Sequence, residues 1–174
     1  MGDTLINRNP CGDVLVDMAR QADDLAHFFN MQAVTAVVSF SNFGADNDGA
    51  PRKVADAVKY LHENYPELVI DGEIQMNFAL NREMRDKMFP FTKLYGKDVN
   101  TILFPDLTSA NIASKIMLES GISSESVGPI QTGLNKPVHF TDIESSVRDI
   151  VNLTAVAVID AIVHKKVEGK ERNI

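Results

Sequence analysis

Apolar residues recur at three- and four-residue steps from about Asp13 to Asn30, where Val14, Met18, Ala22, Leu25 and Phe29 fall on one face, the pattern of an amphipathic helix. The pattern then changes. Ala33 to Phe40 is a nearly continuous β-branched run with no polar alternation, which predicts a strand buried on both faces, as in a parallel sheet. It leaves through "SNFGADNDGAP", and Pro51 suits the first turn of a second helix. The cycle repeats with a strand in "ELVIDGEIQ" and a helix in "NREMRDKMF". A third cycle puts a strand over Val99–Phe104 and a helix in "TSANIASKIMLES" closed by Gly121. "SVGPIQTGL" and "KPVHF" are two further strand candidates, and an apolar helix from about Ser146 precedes a polar tail from His164 expected to fray. Strands alternating with helices imply an α/β fold with a mostly parallel sheet flanked by helices.

The segment Ile150–Val163 is the longest strongly apolar stretch, yet it falls short of the roughly 20 residues a membrane span needs, so it is expected to be a buried helix. With 174 residues, 44% of them hydrophobic, the chain is sized for one globular domain. The expected layout is a single domain over 1–174, with an α/β lobe over 3–145 and a C-terminal helix over 146–168. A net charge of -7 argues against nucleic-acid or anionic-membrane partners, which reward clustered Lys and Arg. Cys11 is the one cysteine and cannot form an internal disulfide, and no signal-peptide pattern opens the chain, so a cytoplasmic location is expected. "DTLIN" reads as the end of a strand, which suggests a piece of a longer protein.

In a parallel α/β sheet ligands bind beyond the carboxyl ends of the strands, which directs attention to three turns. "SFSNFGAD" offers Ser39, Ser41, Asn42 and Gly44 beside a helix start, where backbone N–H groups could meet a phosphate; an ordinary strand-to-helix turn is the plainer account, because the glycine spacings and lysine of a phosphate loop are absent. In "FPDLTSAN", Asp106 or Thr108 can cap a helix that carries Ser109 and Asn111 in its first turn, and capping is favoured over catalysis. The third turn holds Asp142, Glu144, Ser145 and Ser146, with Asp149 in the first helical turn; residue chemistry alone favours a cap here too. Asp71 and Glu73, two apart, could suit a metal, but no third ligand stands at a useful spacing, and a solvated acidic turn is preferred. His27, His62, His139 and His164 are scattered and define no triad.

Taken in order, "VVSFSNFG", "DGEIQMNFAL", "FPFTKLYGKDVNTILFPDLTSANIASK", "VGPIQTGLNKPVH" and "SSVRDIVN" resemble the later half of the phosphate acetyl/butyryltransferases, from about Asp3 to Ala161. The resemblance implies one lobe of the isocitrate/isopropylmalate dehydrogenase-like phosphotransacetylase fold, plus the C-terminal helix of the other lobe. It also implies an acyl-CoA ligand, with acetyl-CoA or CoA against Ser39, Ser41, Asn42, Gly44, Ser109, Asn111 and Lys136. Family enzymes use an aspartate as general base on the CoA thiol, with a serine and an arginine stabilising charge on the acyl and phosphate groups. Carried onto this chain, the base position is Asp149, the serine position Asp142, the arginine position Ile143 and a glycine position Glu144. The base is retained while a hydroxyl has become an anion and a guanidinium a hydrocarbon.

"SNFG", "PVH" and the missing arginine resemble a subgroup, the transferase-like domain at the C-terminus of bacterial NADP-dependent malic enzymes. That likeness implies acetyl-CoA as a regulatory ligand with little or no transferase activity. NADP, a divalent metal and malate oxidation would belong to a malic enzyme domain of the same chain. The apolar last helix, having lost part of its usual cover, is expected to drive self-association into a homo-oligomer; the alternatives are a working phosphate acetyltransferase and an oligomerisation scaffold built on that helix.

Overall fold

The computed structural model describes residues 1–120, 127–143 and 145–171, with 166–171 as backbone only. Gly121 and Glu144, assigned above to a helix cap and a motif position, lie outside the described residues. Two compact units divide the chain, Met1–Met117 and Leu118–Ile174.

The first unit carries three parallel strands, β1 (Thr35–Val38), β2 (Ile70–Ile74) and β3 (Thr101–Leu103), in the order β2-β1-β3. Helices α1 (Gly12–Phe28), α2 (Gly49–Asn64), α3 (Met76–Leu80), α4 (Arg82–Met88) and α5 (Leu107–Glu119) intervene as the periodicity predicts, except that the short α3 has no counterpart in the sequence reading. Every residue of β1 and β2 is buried, which accounts for the absence of polar alternation in the run. Side chains alternate across the sheet: Val37 packs with Leu15, Val54 and Leu61 on the side of α1 and α2, while Ala36 and Val38 pack with Ile74, Leu94 and Ala110 on the other. The buried face of α1 is Leu15, Val16, Ala19 and Ala26, about one residue round from the stripe drawn from the sequence. Met18 and Ala22 sit at its margin, and Phe29 is exposed.

Register slips between β1 and β2, with Val37 opposite Gly72 and Val38 opposite Ile74, so Glu73 is an extra residue bulged out of the ladder. Gly72 permits the close approach: with φ at +152°, a Cβ there would lie 2.3 Å from the Val37 carbonyl oxygen. The start of the chain is less of a strand than expected. Gly2 alone bridges Leu103 in parallel, and Asp3 then turns the chain by accepting from the N–H groups of Leu5, Ile6 and Asn7. Burial raises the Asp3 carboxyl, but those bonds and the Asn7 side chain outweigh it and hold the group below its usual value.

In the second unit the expected strands of 126–140 are not found among the described residues 127–140. Pro129 and Pro137 remove ladder donors, and Gly128 and Gly133 adopt positive φ, so the segment is irregular. It is fastened locally instead: the Gln131 N–H donates to His139 Nδ1 at 3.2 Å, which leaves the His139 proton on Nε2 facing Asp160. That nitrogen lies 3.2 Å from Asp160 Oδ2 without hydrogen-bond alignment, so the contact is electrostatic. Helix α6 (Val147–Glu171) ends three residues beyond the expected 146–168. Nor is it a buried helix: Leu153 and Val156 are buried, while Val147, Val151, Val158 and Ile159 are exposed. Among the described residues no helix is long and apolar enough to cross a membrane.

Candidate functional site

Because β1 and β3 are adjacent and parallel, their carboxyl ends deliver two of the three predicted turns to the same edge of the sheet. After β1 the chain enters the Ser39–Asp48 loop, and after β3 it enters the Pro105–Asn111 turn into α5. Ser39, Ser41, Asn42, Gly44, Ser109 and Asn111 thus belong to one edge of the first unit. Lys136, Asp142, Ile143 and Asp149 belong to the second unit.

Part of the β1–α2 loop's backbone donors is consumed internally: Phe43 donates to the Glu73 carbonyl at 2.8 Å, Gly44 to Glu73 Oε1 at 2.6 Å, Ala45 to the Asn42 carbonyl at 3.0 Å and Asp46 to Ser41 Oγ at 2.9 Å. Ser41 is buried, and its hydroxyl also donates to Glu73 Oε1 at 3.3 Å. Asn42 Oδ1 accepts from the Gln75 N–H at 2.8 Å, and Ser39 donates its N–H to the Ile74 carbonyl, leaving its buried Oγ without a hydrogen bond. The bulge is the cause: displaced from the ladder, Glu73 reaches this loop with a side chain 1% exposed.

Asp71 and Glu73 therefore do not form the solvated acidic turn expected from the sequence. Both are buried. Asp71 Oδ2 accepts from Thr92 Oγ1 at 2.7 Å and from the Lys93 N–H at 2.8 Å, fastening the loop before β3, while Glu73 fastens the loop after β1. Among the described residues no group of three His, Cys, Asp or Glu is placed to hold a metal.

At the α5 turn, Asp106 is the cap: its Oδ1 accepts from the Ser109 N–H at 2.9 Å, and Ser109 Oγ donates to the Asp106 carbonyl at 2.9 Å. Asn111 Nδ2 donates to the Thr4 carbonyl, tying the helix to the first turn of the chain. A cleft of about 330 Å³ opens beside this contact, lined by Thr4, Leu5, Leu107, Thr108, Asn111 and Ile112.

In the second unit Ser146 and Asp149 form a reciprocal cap on α6. Asp149 Oδ2 accepts from the Ser146 hydroxyl at 2.6 Å and from its N–H at 2.9 Å, and Ser146 Oγ accepts from the Asp149 N–H at 3.2 Å. The Ser146 hydroxyl and then its N–H hold the Asp149 carboxyl below its ordinary value. Asp142 turns Oδ1 onto the N–H of Ile143 at 2.7 Å, and Ile143 is 98% exposed. Lys136 lies exposed in the irregular segment.

A parallel three-strand sheet flanked by helices, with strand-to-helix turns at the carboxyl ends of β1 and β3, defines an α/β protein. The chain belongs to the phosphate acetyl/butaryl transferase family, whose pattern it matches over residues 1–158. It is 36% identical over 160 residues to an NADP-dependent malic enzyme of Haemophilus influenzae, covering 91% of this chain and 21% of that protein. It is 35% identical to a phosphate acetyltransferase of Bacillus subtilis, covering 92% of this chain and 49% of that protein. The fold is similar to that of a phosphotransacetylase from Streptococcus pyogenes, with a TM-score of 0.84 at 33% identity over 92% of this chain and 48% of the other. The chain spans about half the length of such transferases and about a fifth of the malic enzyme.

Proposed function

We propose that this chain is the phosphotransacetylase-like part of an NADP-dependent malic enzyme, binding acetyl-CoA as a regulatory ligand and carrying little or no transferase activity. The observation that carries the reading is the pair Asp142–Ile143 at the positions where the family resemblance has serine and arginine. An anion bonded to its own neighbour and an exposed hydrocarbon supply no donor to a developing oxyanion or to phosphate. Loss of one such donor costs about a hundred- to a thousandfold in rate, and added negative charge deepens the loss. Asp149, the retained base position, is held by Ser146 below its ordinary value, which makes it a poorer proton acceptor for a thiol. Malate oxidation with NADP and a divalent metal belongs in this reading to the malic enzyme region outside these 174 residues.

Regulation requires that acetyl-CoA bind two states of the intact protein unequally. The test is malate-dependent NADPH formation by the intact protein while acetyl-CoA is titrated: saturable inhibition supports the reading, and indifference to acetyl-CoA overturns it. Phosphate-dependent release of CoA from acetyl-CoA at a transferase's ordinary turnover would favour the catalytic alternative. The exposed valines of α6 favour a second reading, a self-association surface that makes the protein a homo-oligomer. Val151→Asp or Val158→Asp should then dissociate the oligomer in analytical ultracentrifugation, and an unchanged sedimentation coefficient would count against it.

A further inference from the structure

His139 pairs a buried ring with two competing partners. Its side chain is 3% exposed. Nδ1 accepts the Gln131 N–H at 3.2 Å, so the neutral ring carries its proton on Nε2. Nε2 is buried, has no hydrogen-bond partner among the described residues, and lies 3.2 Å from Asp160 Oδ2. The other oxygen of that carboxylate, Oδ1, accepts from His164 Nδ1 at 3.3 Å, one turn further along α6. Asp160 therefore stands between two imidazoles, one buried and one part-exposed. Among the described residues Asp160 is the charged group that α6 turns toward His139, and Lys136, three residues before His139 in its own segment, is exposed.

Adding a second proton to the ring sets the two partners against each other. It can go only onto Nδ1, which then faces the Gln131 N–H as donor to donor and no longer accepts. The same proton makes the ring a cation beside the Asp160 carboxylate, an attraction that burial strengthens. Each form satisfies one nitrogen at the expense of the other: the neutral ring holds Gln131 and leaves Nε2 without a bond, while the charged ring pairs with Asp160 and releases Gln131. Two arrangements that trade one contact for another make a two-state element that a single proton biases.

We propose that His139 is a proton-operated latch on the segment 131–139: neutral, it closes the segment by accepting the Gln131 N–H, and protonated, it gives up that bond for Asp160 and lets the segment open. Residues 131–139 form no helix or strand, so no regular ladder keeps them in place when the Gln131 bond is lost. Lys136 lies inside the closed stretch, and the placement of this candidate ligand contact therefore follows the charge on His139.

Hydrogen–deuterium exchange of the intact protein, resolved to the Gln131 amide and expressed as protection relative to intrinsic exchange at each pH, tests this between about pH 8 and pH 5, the range in which histidine changes charge. In the parent the Gln131 amide should be protected at pH 8 and lose that protection about tenfold by pH 5, the effect of one lost hydrogen bond, while the β1 amides keep theirs. His139→Asn leaves an acceptor in the place of Nδ1 and takes up no proton, so its Gln131 amide should stay protected throughout. Asp160→Asn removes the anion that favours the charged ring, so its latch should open only at a lower pH than the parent's. A Gln131 amide unprotected at pH 8, protection that does not change with pH, or a fall shared by β1 overturns the proposal. So does a His139→Asn protein that loses protection on acidification as the parent does, or an Asp160→Asn protein that opens at the parent's pH or above it.

Discussion

Replacing Arg85 by methionine keeps much of the side-chain volume and removes five donors from a site with 0% exposure. The guanidinium donates from Nη2 to the Leu94 carbonyl at 2.9 Å and the Lys97 carbonyl at 2.5 Å, from Nη1 to the Ala79 carbonyl at 3.3 Å, and from Nε to Asp86 Oδ1 at 3.2 Å. It thereby joins the last turn of α3, the turn after α4 and the loop leading to β3. Leu94 and Ala79 are themselves buried; the Leu94 carbonyl keeps the Lys97 N–H at 3.0 Å, while the Ala79 carbonyl loses its side-chain donor. The stranded Ala79 carbonyl costs about 1–3 kcal/mol, and the other lost charge-assisted bonds and an acid deprived of its cation add to that, so a loss of about 3–5 kcal/mol is expected. Against a typical total of about 5–15 kcal/mol this is a large fraction, equivalent to a melting temperature lower by about 10–15 °C. Urea titration followed by circular dichroism measures it, the two midpoints being compared at constant slope. A difference below about 1 kcal/mol would refute the reasoning, since it would mean that water serves the three carbonyls as well as Arg85 does.

Gly72→Ala should be more severe than an ordinary strand substitution, because its Cβ would meet the Val37 carbonyl oxygen at 2.3 Å in a backbone conformation that L residues rarely adopt; a loss of about 3 kcal/mol or more is expected in thermal unfolding, combining overpacking with strain. Thr92→Val removes the hydroxyl donated to Asp71 and should cost about 1–2 kcal/mol by the same assay. Ser146→Ala should move the Asp149 carboxyl titration, followed by carbon NMR, up towards its ordinary value. Since the folded-state value is depressed, the stabilisation exists above the ordinary Asp value of about 3.9 and is lost as pH falls through the folded value, so this variant should also flatten the acid limb of the stability profile. An unmoved titration would mean that the cap does not set the carboxyl's affinity for its proton.

The elements with long periodic or β-branched runs are legible in the sequence: α1, β1, α2, β2, α4, β3, α5 and α6 all lie where the hydrophobic pattern puts them, with strands trimmed at their ends. The pattern failed where a single residue's geometry decides. "VGPIQTGL" is apolar enough for a strand, but its glycine and proline positions break the ladder, and turn chemistry outweighed hydrophobicity. The stripe drawn on α1 was rotated because Met18 and Ala22 belong to the edge of both possible faces, while Leu15 and Val16 point inward. Nothing in "NREMRDKMF" distinguishes Arg85 from the other charges of that helix, since its burial depends on carbonyls six to twelve residues away.

The candidate site was legible in its residue types and illegible in their commitments. Ser41, Gly44, Ser109 and Asn111 do stand at the carboxyl edge of a parallel sheet, as the spacing of strands and helices required. Whether such residues can act on a ligand depends on which donors remain free, and that is set by the one-residue bulge that turns Glu73 into the loop. The same distinction applies to the turn before α6. There Asp149 is both the base position implied by the family likeness and one half of a helix cap, and a carboxylate stabilised by two bonds from Ser146 gives up part of its basicity to hold the helix. With Asp142 and Ile143 offering no cation beside it, a cap is the role that this geometry supports without help from any other group. Restoring a transferase at this turn would therefore require more than an arginine at 143: the Ser146 contact would also have to be released before Asp149 could accept a proton from a thiol.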